Sequence, residues 1–363
     1  MNKRPLPALF FVLLGLASSA CMQKQPSDET VNVRKFWPQP PATPRYVHEA
    51  TLRHREDIQP PDRETRFRNM VLGSAKPNFA FSRPYDVASN FGRVYISDIE
   101  AALISVFDVP RRRFYRFGGR PEGKLVRPMG LALDAQSNLY VADVGSKRVQ
   151  VFDFLGLHLR SIGAQDGLQM PVSVAVDRQS GAIYVVDNGG IDSDKHRVLV
   201  YNREGRLERI LGSRGDGPGQ FNLPTDAIVG NDGTLYVLDS GNFRVVMFDA
   251  SGEFLGQWGS VGNGFGQFAR PRSITIDGDD NLYITDMFFG NFQVFNTRGE
   301  LLLPVGSIND NNLPGNYRLI SGISADETQR IYVTDQLHRK VDVFRLVSEK
   351  EGAALIQQWA KEE

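Results

Sequence analysis

The chain has one cysteine, Cys21. No intramolecular disulfide can form, so stability must come from a packed core. Charge of one sign is lacking too. The 42 Lys and Arg offset 42 Asp and Glu, whereas nucleic acid as the main partner would call for a basic surplus. No apolar run is long enough to span a membrane; residues 6–17, with Pro7 inside, fall short of the roughly 20 needed. Common catalytic signatures are missing: there is no G-x-S-x-G, H-E-x-x-H or C-x-x-C-H. Residues 118–124 have P-loop spacing, but Leu125 stands where Ser or Thr is required and Pro121 interrupts the run. Histidine is scarce: His48, His54, His158, His196 and His338 are the full set.

What is present begins with the N-terminus. Lys3 and Arg4 precede the short apolar stretch, and the small residues Ser18, Ser19 and Ala20 lead into Cys21. This is the layout of a secretory signal. It resembles a bacterial lipoprotein signal, with Ser18 where such signals usually carry Leu. The resemblance implies cleavage after residue 20, lipidation of Cys21 and attachment to the cell envelope. Met22 after the cysteine leans toward the outer membrane. Residues 21–44 are polar and then proline-rich (WPQPPATP), which reads as a flexible, extended tether.

The rest of the chain repeats itself. RVYISDIEAALISVFD from Arg93 and NLYVADVGSKRVQVFD from Asn138 are followed by AIYVVDNGGIDSDKHRVLVYN from Ala182 and TLYVLDSGNFRVVMFD from Thr234. NLYITDMFFGNFQVFN from Asn281 and RIYVTDQLHRKVDVFR from Arg330 complete the set. Each copy holds Tyr-x-x-Asp, and the tyrosines recur every 44 to 52 residues. Strand patterning at this period means propeller blades. Each unit parses into four strands: a after a proline (Pro84, Pro128, Pro171, Pro271), b and c as the quoted pair, and d ending in Gly. The units closely resemble NHL repeats over residues 84–345, which implies an all-β, six-bladed NHL-type propeller. The domain plan is a signal at 1–20, a tether at 21–44, a propeller at 45–347 and an amphipathic C-terminal helix at 348–363. The sixth unit lacks an outer strand. A segment within 45–73 is expected to close the ring, either RYVHEATL from Arg45, which is favoured, or FRNMVLG from Phe67.

Candidate functional residues fall into groups. Asp98, Asp143, Asp187, Asp239, Asp286 and Asp335 end strand b once per blade, which reads as architecture: Asp there holds the following turn. Arg148, Arg197, Arg244 and Lys340 precede strand c; anion binding is one reading, pairing with a neighbouring blade's Asp the other. Arg83, Arg127 and Arg270 precede strand a and lead the ligand-facing candidates, because guanidinium groups crowded around one channel mouth suit carboxylate or phosphate. The third unit carries extra residues between strands b and c, where Asp187, Asp192, Asp194 and His196 offer a weak set of metal donors. His196 and His338 sit in rim loops of opposite blades.

Some propellers that this chain resembles are enzymes. The peptide-amidating lyase holds zinc with rim histidines, but two opposed histidines do not supply three ligands. Gluconolactonase-like propellers use a central divalent metal, for which Asp187 and Asn188 are the nearest candidates. The expectation is therefore a binding or scaffold module of the envelope, taking a protein, peptide or small anionic ligand at the channel rim. Membrane contact runs through Cys21, no cofactor is expected and oligomeric state is left open. The alternative is a metal-dependent hydrolase or lyase.

Overall fold

The computed structural model describes residues 36–362 apart from 40, 62 and 73–78. The signal at 1–20, Cys21 and the tether up to residue 35 lie outside them. The described residues form one compact unit.

Strands b and c of every repeat are buried almost end to end, as in Ile183–Asp187 and Arg197–Tyr201. Strand d alternates, as in Leu207–Leu211. That gradient is what radial sheets dictate: the middle strands are covered on both faces by neighbouring blades, and the outermost strand meets water. Five sheets have four antiparallel strands in chain order. Their innermost a strands are Pro84–Asn90, Pro128–Leu133, Pro171–Val176, Asp226–Val229 and Pro271–Ile276. Blade six combines Ile320–Ala325, Arg330–Asp335 and Lys340–Leu346 with a strand from the other end of the chain.

That strand is Tyr46–Leu52, antiparallel to Lys340–Leu346, with Leu52 opposite Val341. Of the two candidate closing segments, the ring thus uses the first. The second falls in helix α1 (Arg63–Leu72), where Phe67, Met70 and Val71 share one exposed side. The expected tether needs correcting at its end. Phe36–Trp37 pairs with Val47 and Tyr46 as a fifth strand on blade six, and Trp37 packs edge-on against Phe344 at 5.2 Å. Its aromatic pair finds an apolar edge there, so the spacer gives way to sheet before residue 44. Helix α2 (Glu349–Glu362) follows strand c of blade six.

Six apolar clusters hold the ring, each shared mainly by two adjacent blades. The cluster joining blades six and one packs Tyr332, Val341 and Val343 against Val87, Val94, Ile96 and Phe107, which closes the circle.

The repeated aspartates tie each blade's loops together. All six are at most 1% exposed. In each, the carboxylate accepts backbone N–H groups from the connection entering strand a, as Asp143 does from Val126 and Arg127 at 3.0 and 2.7 Å. Asp143 also accepts from Gly145 N–H and Ser146 Oγ. D143A strands these donors and is expected to destabilise by about 2–3 kcal/mol in urea unfolding.

Candidate functional site

Strands run alternately outward and back, so the d–a connections and b–c turns share one end of the ring and the a–b turns mark the other. At the first end the basic residues divide into two sets. Arg197 and Arg244 are committed inside their own blades: Arg197 lies 3.1 Å from Asp187, and Arg244 2.9 Å from Asp239. Each also donates to carbonyls of the connection entering its blade, Gly167 for one, and Asp216, Gly217 and Gln220 for the other. Arg148 donates to Ser146 O. Lys340 is fully buried and paired with Asp342 at 2.8 Å. For Arg197, Arg244 and Lys340 the expected partner, the neighbouring blade's Asp, is therefore corrected to a carboxylate of the same blade. For the arginines antiparallel register is the reason, since Asp187 faces Arg197 and Asp239 faces Arg244 across the b–c hairpin, whereas Lys340 turns to Asp342 two places along its own strand.

The histidines are occupied as well. His196 is fully buried; its Nδ1 accepts from Leu223 N–H at 3.1 Å, so its Nε2–H donates to Gly190 O. His338 Nδ1 lies 3.1 Å from Asp335 Oδ2. Asp192 and Asp194 are exposed, and Asp194 stands 3.9 Å from Arg214. Asp187 is taken by Gln169 N–H, Met170 N–H and Arg197. These four metal candidates do not converge, and among the described residues no group of three or more His, Cys, Asp or Glu is arranged to hold a metal ion.

The second set stays available. Arg83, Arg127 and Arg270 are exposed. Arg83 donates to Gln336 Oε1 at 2.9 Å. Among the described residues, neither the Arg127 nor the Arg270 guanidinium makes an ion pair or hydrogen bond. Apolar side chains project from the same end. Val126, Val261, Phe265 and Ile308 stand out from d–a connections, and Ile191, Phe288 and Leu337 from b–c turns, Phe265 and Ile191 at 73% exposure. Helix α1 adds Phe67, Met70 and Val71, since residues 53–83 form the connection entering blade one.

The central channel narrows at a waist. In five blades the pairing of strand a with strand b shifts just after its first residue, and such bulges re-aim side chains. The third position of the strand-a motif then forms a ring around the axis: Asp86, Gly130, Ser173, Asp226, Ser273 and Gly322. Asp86 and Asp226 come from opposite blades, one and four. Asp226 is well supplied: Ser173 Oγ and Ser273 Oγ donate at 2.5 and 2.6 Å, and Ala227 N–H and Ile274 N–H at 2.9 and 2.8 Å. Asp86 stands between two glycines and receives Leu131 N–H at 2.8 Å and Val87 N–H, with no side-chain donor among the described residues. A Cβ on Gly322 would come within 2.2 Å of Asp86 Oδ1 and 2.5 Å of its Cα, so only glycine fits beside it. Burial raises the pKa of both carboxyls, and Asp226 pushes that of Asp86 well above the usual range.

Below the waist, toward the a–b turns, lies a chamber of about 330 Å³. Its wall mixes apolar strand-a residues such as Leu131, Val174, Ile274 and Ile323 with polar ones, Ser89, Ser324 and Thr275 among them. Above the waist a small space of about 10 Å³ lies beside Tyr85 and Arg272. The roomy space thus opens away from the arginine-bearing end. The pair Asp86 and Asp226 leaves one sign in the sequence: Asp two places after a strand-opening Pro, in PYD and PTD, where other repeats have Gly or Ser.

Ring, bulged inner strands and axial channel define the chain as a six-bladed β-propeller built from NHL-like repeats. A family model described as 6-bladed beta-propeller matches residues 169–256 and 228–292. Protein brain tumor of Drosophila melanogaster is 32% identical over 130 residues, 34% of this chain. The chain spans 12% of the length of that curated relative. Among solved structures, a gluconolactonase from Xanthomonas campestris superposes with a TM-score of 0.55 at 17% identity, covering 74% of this chain and 87% of that one. Virginiamycin B lyase from Staphylococcus aureus gives 0.53 at 14% identity, covering 73% and 81%. At these identities the likeness is one of fold.

Proposed function

We propose that this protein is a binding module of the bacterial cell envelope. In this reading the chain is secreted, lipidated at Cys21 and held at the outer membrane. The propeller presents its d–a and b–c loop end to a protein or peptide partner that carries carboxylates. One observation carries the proposal: unengaged Arg127 and Arg270, with Arg83, share that end with exposed apolar side chains of the surrounding loops and of helix α1. Arginine beside apolar and aromatic groups is the composition that distinguishes protein interfaces, and guanidinium groups favour carboxylates through paired hydrogen bonds. The rigid ring beneath keeps these loops pre-positioned, which lowers the entropy lost on binding. A second reading, a hydrolase or lyase, draws on fold likeness to the gluconolactonase and the virginiamycin lyase and assigns no residue here.

The test compares wild type with R83A/R127A/R270A in cross-linking of intact envelopes. The triple substitution removes surface charge and is expected to leave the melting temperature unchanged. It should weaken partner capture by about tenfold or more, roughly 1.4 kcal/mol, and capture should fall with added salt. Unchanged capture would place the working surface elsewhere. C21S should release the protein from the membrane fraction.

A further inference from the structure

The chamber below the waist is a different kind of place from the loop end. It is enclosed by all six inner strands, and its about 330 Å³ would hold roughly ten waters. The volume falls in the range of small-molecule sites. Its polar groups are unevenly placed. At the closed end stands Asp86, 7% exposed, with no side-chain hydrogen-bond donor. Asp226, across the ring, already accepts two hydroxyls and two amides. At the open end Asp177, Asp277, Asp326 and Glu327 face one Arg178. An entering ligand therefore crosses an acidic mouth, meets walls of mixed apolar and hydroxyl-bearing residues and ends at one under-supplied carboxyl.

We propose that this chamber binds a small organic ammonium ion, a primary or secondary amine with a short apolar body, its charged end on Asp86. Each feature contributes to that choice. The acidic mouth repels carboxylates and phosphates and draws cations. A metal ion would need several free oxygen donors, but Asp226 is fully engaged and, among the described residues, no group of three or more His, Cys, Asp or Glu is arranged to hold one. A neutral apolar molecule gives the Asp86 carboxyl neither a donor nor a counter-charge. An ammonium supplies donor and charge together, and its alkyl part can lie against Leu131, Val174, Ile274 and Ile323. Ser89 and Ser324, now bonded to each other at 3.0 Å, offer a second polar contact. The site is at the opposite end from the partner surface and does not depend on it.

The test is calorimetric titration of the full chain with n-butylammonium and benzylammonium, against n-butanol and n-butyrate as probes of equal reach. Saturable binding of the amines, at least about tenfold tighter than the alcohol, is expected, with no binding of butyrate. D86N should abolish the amine preference. D226N should keep or strengthen it, because the like charge opposing Asp86 is gone. Melting curves of both variants establish that the ring is intact. Equal affinity for amine and alcohol, no amine binding, or equal losses in D86N and D226N would each overturn the proposal; the last would mean a diffuse acidic field.

Discussion

K340M is expected to destabilise the propeller by about 3–5 kcal/mol in urea unfolding, and D342A by a similar amount. Both side chains are fully buried and 2.8 Å apart. Asp342 also accepts from Thr51 Oγ1 at 2.7 Å and from Gly315 N–H at 3.0 Å. Lys340 donates to Leu313 O at 2.9 Å and sits 5.0 Å above the Tyr317 ring. One ion pair thus joins strand c of blade six, the closing strand from the N-terminal side and the connection entering blade six. Removing either charge leaves the other buried and unmatched, and the low-dielectric interior makes that costly. The double variant K340M/D342A should lose far less than the sum, with a coupling of about 2 kcal/mol or more in the double-mutant cycle. Additive losses would show that the two residues act separately and that the closure does not depend on their pairing.

The fold was largely legible because its information is periodic. Tyr-x-x-Asp repeats in every blade, and blade identity follows from counting copies. The choice of closing strand rested on patterning alone: RYVHEATL alternates as a strand, and FRNMVLG spaces its apolar groups as a helix does. What escaped was set by register and by the axis. Arg197 and Arg244 were readable as repeated cations, but their partners are fixed by cross-strand pairing within the hairpin, where Asp and base lie directly opposite, while Lys340 pairs along its own strand with Asp342. The rim histidines looked available because a loop position says nothing about burial, yet His196 is sealed under Leu223. The channel carboxylates were harder still. Asp86 and Asp226 lie 140 positions apart in the chain, and the ring brings them face to face only by placing blade one opposite blade four. Compared within one repeat, each is an ordinary polar residue near a strand start. Compared down the column of six repeats, they are the two acids in a ring otherwise of Gly and Ser.

That ring makes a pH-dependent result. Burial raises the folded-state pKa of Asp86 well above the usual carboxylate value, and the facing Asp226 raises it further. The other ionisable groups nearby are Tyr85 and Arg272, above the waist. In the window between the ordinary carboxylate pKa and the raised one, the folded protein holds a proton that the unfolded chain has released. Stability therefore falls as pH rises through that window, by up to about 1.4 kcal/mol for each pH unit crossed. D86N keeps the shape and an acceptor for Leu131 N–H but cannot ionise. It is expected to be more stable than wild type near neutral pH, with the advantage shrinking to nothing below about pH 4. Urea unfolding of both proteins from pH 4 to 8, without added amine, measures this. D226N is the necessary contrast. It also relieves the repulsion, but Asp226 holds two serine hydroxyls as an acceptor, and an amide nitrogen can accept from neither. Its gain should be smaller than that of D86N or negative. If D86N is no more stable than wild type at any pH, Asp86 is ionised without penalty in the folded chain, and a cation or solvent must already reach it from the chamber.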